Sequence, residues 1–240
     1  MNRCRSTSSL VFLLVASPLC LLSSRTALSQ ESARSQFWPE LDVFYRLDSQ
    51  WRLFALTSIT REREIQYTDW QIGAHLEFSF YPLPPLMKVM ATDFERFRAF
   101  QFRVGYTYAR AVGGNSGDYQ EHRGIVEASV RIPVTELLLL SDKNRVDLRG
   151  VNGSFSSRYR NRIRVERQTE TDFVTLNPFL SAEFFYDSRY ETWSRQLYSA
   201  GIEWTLSGGT LLETSYQRQT DSQPSTSAVN ALGLTVSVFY

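Results

Sequence analysis

The feature that most constrains this chain is a two-residue alternation of apolar and polar side chains that recurs over stretches of about ten residues. In Trp70-Gln71-Ile72-Gly73-Ala74-His75-Leu76-Glu77-Phe78-Ser79-Phe80 every second residue is apolar and the rest are polar or glycine. The same phase runs through Phe100-Phe102-Val104-Tyr106-Tyr108, Val126-Ala128-Val130-Ile132, Leu180-Ala182-Phe184-Tyr186, Tyr198-Ala200-Ile202-Trp204-Leu206 and Leu232-Leu234-Val236-Val238-Tyr240. Successive side chains of a strand point to opposite faces, so each segment reads as a strand with one oily and one polar face. Six such runs in one chain predict an all-β fold.

The first residues carry a different pattern. Arg3 and Arg5 precede an apolar run, Leu10 to Leu22, and Ala27-Leu28-Ser29 offers small residues for a signal peptidase. We therefore expect residues 1–29 to be a cleaved signal peptide and 30–240 a single barrel domain. The apolar run is too short for a spanning helix, which needs ~20 residues, and no longer one follows. Cleavage would remove Cys4 and Cys20, leaving no thiol, disulfide or cysteine metal site, and Leu19 before Cys20 is too bulky for a lipoprotein signal. It would also take Arg3, Arg5 and Arg25, so that the 26 basic residues fall to 23 against 25 acidic ones. Such a balance excludes nucleic-acid binding driven by bulk charge.

Alternation alone fits two kinds of barrel. In a soluble, lipocalin-type barrel the apolar face points inward; in an outer-membrane barrel it faces lipid, with aromatic residues gathered at the two interfaces. Here aromatic residues cap the apolar rows: Trp70 and Phe80, Tyr106 and Tyr108, Phe184 and Tyr186, Tyr198 and Trp204. Short connections such as Asp48-Ser49-Gln50 and Leu206-Ser207-Gly208-Gly209 alternate with longer ones at Val112 to Glu121 and Thr220 to Ala228. Tyr240 ends the chain in phase with Leu234, Val236 and Val238, which resembles the C-terminal signal that such barrels present to their assembly machinery. An antiparallel transmembrane β-barrel in a Gram-negative outer membrane, porin-like in architecture, is the expectation.

Candidate strands fall near 37–47, 50–61, 68–81, 96–110, 122–133, 144–151, 156–168, 175–187, 194–206, 210–219 and 229–240. Bacterial single-chain barrels have even strand numbers. Twelve strands are therefore expected, with one more near 82–95 or 133–141, or ten if Phe37 to Leu47 lies outside the wall. Tyr81-Pro82-Leu83-Pro84-Pro85 breaks the sheet because proline donates no ladder bond. Gly113 to Asp118 and Gly150 to Ser154 are turn-forming clusters, and Asn152-Gly153-Ser154 reads as a tight turn and not as a glycan acceptor.

The most distinctive polar face belongs to Ser156-Ser157-Arg158-Tyr159-Arg160-Asn161-Arg162-Ile163-Arg164-Val165-Glu166. Period two puts Arg158, Arg160, Arg162 and Arg164 on one side and Ile163 and Val165 on the other. Arginine at the lipid midplane costs ~2–4 kcal/mol, so the ladder should line the lumen. Glu183, Glu203 and Glu213, with Glu127 and Asp147 on the other side, are in phase to pair with it. Paired, the ladder closes a narrow lumen through forked charge-assisted bonds; unpaired, it forms an anion-attracting pore. The near equality of charges and the scarcity of lysine, Lys88 and Lys143 only, favour pairing.

Several motifs carry a resemblance. Phe37-Trp38-Pro39-Glu40-Leu41, the turn into a strand at Leu140-Ser141-Asp142…Arg145, Ser157-Arg158-Tyr159-Arg160-Asn161-Arg162, Asn177-Pro178-Phe179-Leu180-Ser181-Ala182-Glu183-Phe184-Phe185 and Arg195-Gln196-Leu197-Tyr198-Ser199-Ala200-Gly201 resemble an uncharacterised family of bacterial outer-membrane barrels, a domain of unknown function. The resemblance covers most of the mature chain, supports location and fold, and implies no activity. A shorter segment resembles outer-membrane phospholipase A, whose His-x-Ser-Asn-Gly and Ser-Arg-x-x-Asn-Arg motifs supply a catalytic His, Ser and Asn. Asn161 alone matches that set. The His and Ser positions read Arg149 and Val151, so neither base nor nucleophile is present.

His75, in a polar row, and His122, beside Glu121 and Tyr119, are the only histidines. His122 could serve as a rim catalytic residue near Asp118, but a solvated loop histidine is the plainer expectation. No cofactor, metal or catalytic residue is expected. The sequence thus points to a non-enzymatic structural or interaction barrel, with a small anion-preferring channel as the alternative and a lipid-acting enzyme behind it. Expected partners are outer-membrane lipid, the barrel-assembly machinery and, for a channel, small anionic solutes.

Overall fold

The computed structural model describes residues 33–62, 67–80, 99–112, 119–135, 137–170, 175–206, 208–223 and 227–240. The signal segment, the stretch 82–95 and the Gly113–Asp118 cluster lie outside these described residues. The strands are β1 (Arg34–Arg46), β2 (Trp51–Glu62), β3 (Tyr67–Phe80), β4 (Phe100–Val112), β5 (Tyr119–Pro133), β6 (Leu138–Val151), β7 (Ser154–Arg167), β8 (Thr169–Glu170), β9 (Thr175–Asp187), β10 (Thr192–Leu206), β11 (Thr210–Asp221) and β12 (Ser227–Phe239). Consecutive long strands pair antiparallel, β7 with β9 and β9 with β10 included, while β8 adds only two residues alongside β9.

Closure comes from a parallel seam in which β1 runs alongside β12 from Arg34↔Val229 to Phe44↔Phe239. Among the described residues the wall therefore has eleven long strands, where the sequence leads to an even number, twelve or ten. An even count is required only if the first and last strands are antiparallel. Here they run the same way, so the wall begins at one end of the barrel and finishes at the other. The backbone confirms the alignment: the Arg46 N–H donates to Tyr240 O and the Tyr240 N–H to Phe44 O, both at 2.9 Å.

Among the described residues of 133–141 there is no twelfth long strand. Leu138 to Ser141 instead lengthen β6, which begins at Leu138 and not at 144, and Leu140 to Arg145 is strand throughout, not a turn into one. Connection length segregates less cleanly between the ends than expected. The 47–50 and 207–209 connections share the end that carries Tyr240, but the opposite end includes, beside the 222–226 connection, the two-residue Asn152-Gly153 turn. Both residues of that turn have positive φ, 48° and 84°, the conformation whose twist matches a hairpin.

Facing follows the alternation. In β3, Gly73, His75, Glu77 and Ser79 are buried inside while Ile72 and Phe80 stand exposed outside. Trp51, Phe78, Phe80 and Phe100 form a chain of ring contacts near the Tyr240 end, with centroids 4.6–6.0 Å apart. Tyr159, Tyr186 and Trp193 make a second cluster near the other end. Among the described residues twenty polar or charged side chains are buried against ten apolar ones, whereas thirty large apolar side chains are exposed. The apolar face thus points outward, the reverse of what a lipocalin-type barrel needs.

Close packing against the two adjacent strands makes a glycine indispensable at position 201. A Cβ at Gly201 would lie 2.4 Å from Thr214 O and 2.8 Å from the Phe179 ring inside the lumen. Gly201→Val is expected to block barrel closure, read as loss of the compact, heat-modifiable band on an unheated gel; an unchanged band would refute the packing described.

Candidate functional site

The lumen is where the chain concentrates chemistry. β7 sends Arg158, Arg160, Arg162 and Arg164 inward, where the first three meet acids on neighbouring strands and Arg164 meets acids on its own strand and farther round the wall. Arg158 contacts Asp187 at 3.0 Å, Arg160 and Arg162 share Glu183 at 2.7 and 2.9 Å, and Arg164 reaches Glu166 at 2.9 Å and Glu213 at 2.7 Å. Glu203 lies 3.5 Å from Arg164, and Asp147 lies 3.9 Å from Arg160. The Arg164–Glu213 link passes over β9 and β10 and so ties the wall across part of the lumen. Register explains the matching: Arg162 stands opposite Glu183, and Arg158 opposite Asp187, on β9.

The ladder is one part of a larger network. On the β2–β6 side, Arg52 and Arg103 both contact Glu77, at 2.5 and 2.7 Å, and Glu127 receives Arg103 at 3.4 Å and Lys143 at 3.3 Å. Arg145 binds Asp147 at 2.5 Å. Toward the end away from Tyr240, Arg149 bridges Glu121 at 2.6 Å and Asp187 at 3.3 Å, with Arg123 and the Tyr119 hydroxyl also on Glu121. Glu77, Glu121 and Asp187 have no solvent exposure at all, so their charges depend on these partners.

Inward phenylalanines complete the packing. The Arg164 guanidinium lies 3.7 Å from the Phe179 ring centroid, Arg103 4.2 Å from Phe54, Arg52 4.2 Å from Phe44 and Arg160 4.7 Å from Phe185. These stackings hold the guanidinium planes while their edges bind carboxylates. Between the ladder and the β1, β2 and β12 wall remains a polar cavity of about 500 Å³, bordered by Glu40, Asp42, Gln71, Ser181 and Glu203 among others.

The ladder, Glu183 and Glu203, legible in the sequence, meet as described. The Glu77, Glu121 and Asp187 hubs emerge only with the fold, although Glu77, Arg103 and Glu127 alternate in the inward phase of three successive strands, a signal as good as the ladder's. The inward phenylalanines were not legible, because Phe44, Phe54, Phe179 and Phe185 break the polar phase and only the fold shows rings serving cations. His75 is buried, 3.2 Å from the Thr107 hydroxyl and edge-on to Phe54. His122 is not a lumen or rim-loop residue. It lies on the outer face, its Nδ1 2.5 Å from the Tyr106 hydroxyl and its Nε2 3.1 Å from Gln120 Nε2, because Glu121 and Arg123 take the inward phase of β5.

Arg149 and Val151, at the positions of the phospholipase base and nucleophile, take the inward phase of β6, whereas Asn161 is on the outside of β7. Leu234, Val236, Val238 and Tyr240 form one outward row of β12, with Phe239 turned in and stacked 4.6 Å from Phe44. Among the described residues no three of histidine, cysteine, aspartate and glutamate converge as a metal ion requires.

The family model described as "Protein of unknown function (DUF2490)" matches residues 35–230, the span from the start of β1 into β12. The chain belongs to this family. No curated protein matches it, and the likeness to outer-membrane phospholipase A is not shown. Membership assigns the barrel to a domain without an established activity, so its role must be argued from the lumen and the wall.

Breaking a hub should be far costlier than trimming the rim of the network. Glu183→Gln leaves Arg160 and Arg162 facing each other and is expected to destabilise the barrel by about 3–5 kcal/mol. Glu213, a quarter exposed, should lose about 1 kcal/mol or less on conversion to glutamine. Denaturant midpoints of the refolded barrel measure both, and equal losses would contradict the hub.

Proposed function

We propose that this protein is an integral barrel of the bacterial outer membrane whose lumen is closed by paired charges, and that it acts as a structural or interaction barrel without enzymatic chemistry. The observation that carries the reading is the inverted distribution of polarity among the described residues, thirty large apolar side chains outside and a charged interior. Exposed apolar area on this scale is untenable in water and natural in acyl chains. Outer-membrane lipid is then the first partner. The barrel-assembly machinery is the second, through the row Leu234, Val236, Val238 and Tyr240. Residues 1–29 would act as the export signal, and no cofactor or nucleic acid enters this reading.

The parallel seam adds a topological consequence. With Tyr240 on the periplasmic side, Ser49 lies at the periplasmic end and Ser154 at the outer end. The cysteine-free mature chain allows a direct test. A Ser154→Cys variant should react with an impermeant maleimide on intact cells, and Ser49→Cys only after the outer membrane is opened; the reverse, or recovery of the chain without detergent, overturns the placement.

A second reading, a small channel passing anionic solutes along Arg158 to Arg164, draws on the polar cavity and on Arg162, which is 35% exposed. Saturation of the ladder by Asp187, Glu183 and Glu213 favours closure instead. Planar-bilayer recording separates the two. Closure predicts no unitary steps from the purified barrel; anion-selective steps abolished by Arg160→Ala and Arg162→Ala would establish the channel.

A further inference from the structure

The lumen does not absorb all the polarity of the β6–β7 hairpin. Asp142 and Asn144 of β6, and Tyr159 and Asn161 of β7, take the outward phase, between exposed Val146, Ile163 and Val165. Register brings them together from two strands: Asn144 stands opposite Asn161, and Asp142 opposite Ile163. Asn161 Nδ2 donates to Asp142 Oδ1 at 2.7 Å and to Asn144 Oδ1 at 3.1 Å. Asn144 Nδ2 donates to Asp142 Oδ2 at 3.0 Å, and the Tyr159 hydroxyl to Asn144 Oδ1 at 2.5 Å. Asn144 and Asn161 lie at the middle of their strands, halfway up the wall.

In the membrane reading of this barrel, on which the inference rests, that height is the hydrocarbon region. A carboxylate and two amides there are costly against lipid, and polar side chains at such depth mark contacts with protein. The hydrogen-bond inventory says what kind of contact. The four bonds use both N–H groups of Asn161 and one of the two on Asn144. Among the described residues this leaves one amide donor, on Asn144, and one amide carbonyl acceptor, on Asn161. A face that presents a free amide donor beside a free amide acceptor, with spare lone pairs on the Asp142 carboxylate, is complementary to itself about a twofold axis: Asn144 of each copy can donate to Asn161 of the other. The flanks suit close approach, because Ala128 continues the Asn144 row on β5 and Ala182 continues the Asp142 row on β9.

We propose that the outer face of the β6–β7 hairpin is a homodimer interface within the membrane, centred on Asp142, Asn144 and Asn161. The occupant is a second copy of this chain, related by a twofold axis normal to the membrane and paired through reciprocal Asn144–Asn161 amide bonds. The interface uses the polar residues that lipid tolerates least and leaves the luminal network untouched.

The test uses the mature barrel reconstituted in lipid nanodiscs and in native outer membranes. Ile163→Cys, beside the proposed axis, should give a disulfide-linked dimer on a non-reducing gel. Leu232→Cys, on the β12 wall across the barrel, should give none. Replacing Asp142, Asn144 and Asn161 together by leucine should reduce the dimer fraction in sedimentation at least tenfold, with heat-modifiable mobility and denaturant midpoint unchanged or raised. A monomeric wild-type barrel, equal cross-linking at both sites, or a cross-link from Ile163→Cys to a different protein would overturn the proposal, as would a leucine variant that dimerises like wild type. If the leucine variant does not fold, the two cysteine variants decide alone. A chain that needs no detergent would instead overturn the membrane reading beneath it.

Discussion

Every guanidinium in the lumen of this barrel has to be matched, and that requirement organises the rest of the molecule. Taking an ion out of water costs several kcal/mol even after relaxation, and the attraction of a partner offsets it only when geometry and further hydrogen bonds are good. The barrel meets the condition by sharing acids: Glu77 serves Arg52 and Arg103, Glu183 serves Arg160 and Arg162, and Asp187 serves Arg149, Arg158 and Arg189. Arginine suits this arrangement, since its planar fork can address carboxylates at its edge while its face lies on a phenyl ring. The inward phenylalanines belong to the same solution.

A lumen so filled changes what the wall can be used for. Charge pairing consumes the ladder that an open pore would need, and the remaining polar cavity is bordered by acids as well as bases. The outer surface by contrast carries an apolar skin, into which β6 and β7 turn the carboxylate of Asp142 and the amides of Asn144 and Asn161 at mid-wall. Function on this reading shifts from the hollow of the barrel to its side.

Much of this was legible in the sequence, and the failures are instructive. The eleven candidate segments correspond to the eleven wall strands, because period-two alternation is a local property that survives without knowledge of pairing. The strand total went astray through the rule of even numbers, which presumes an antiparallel seam. The inward ladder followed from the cost of arginine in lipid, and its acids from phase. Glu77 and Glu121 were passed over, although they obey the same phase, because no neighbouring cluster drew attention to them. His122 was placed at the rim because the extent of β5 past Glu121 was not visible in its alternation.

The amino-acid order by itself determined which residues form strands, which face of each is oily, and that the arginines of β7 share the face opposite the oily one, since each of these depends only on the spacing of side chains along one strand. Tertiary structure decided the parallel closure of β1 on β12, the particular acid that each guanidinium meets, and the meeting of Asp142 with Asn161 outside the wall. Those depend on register between strands, and register arises from the simultaneous fit of every hairpin and the closing seam, which no single segment encodes.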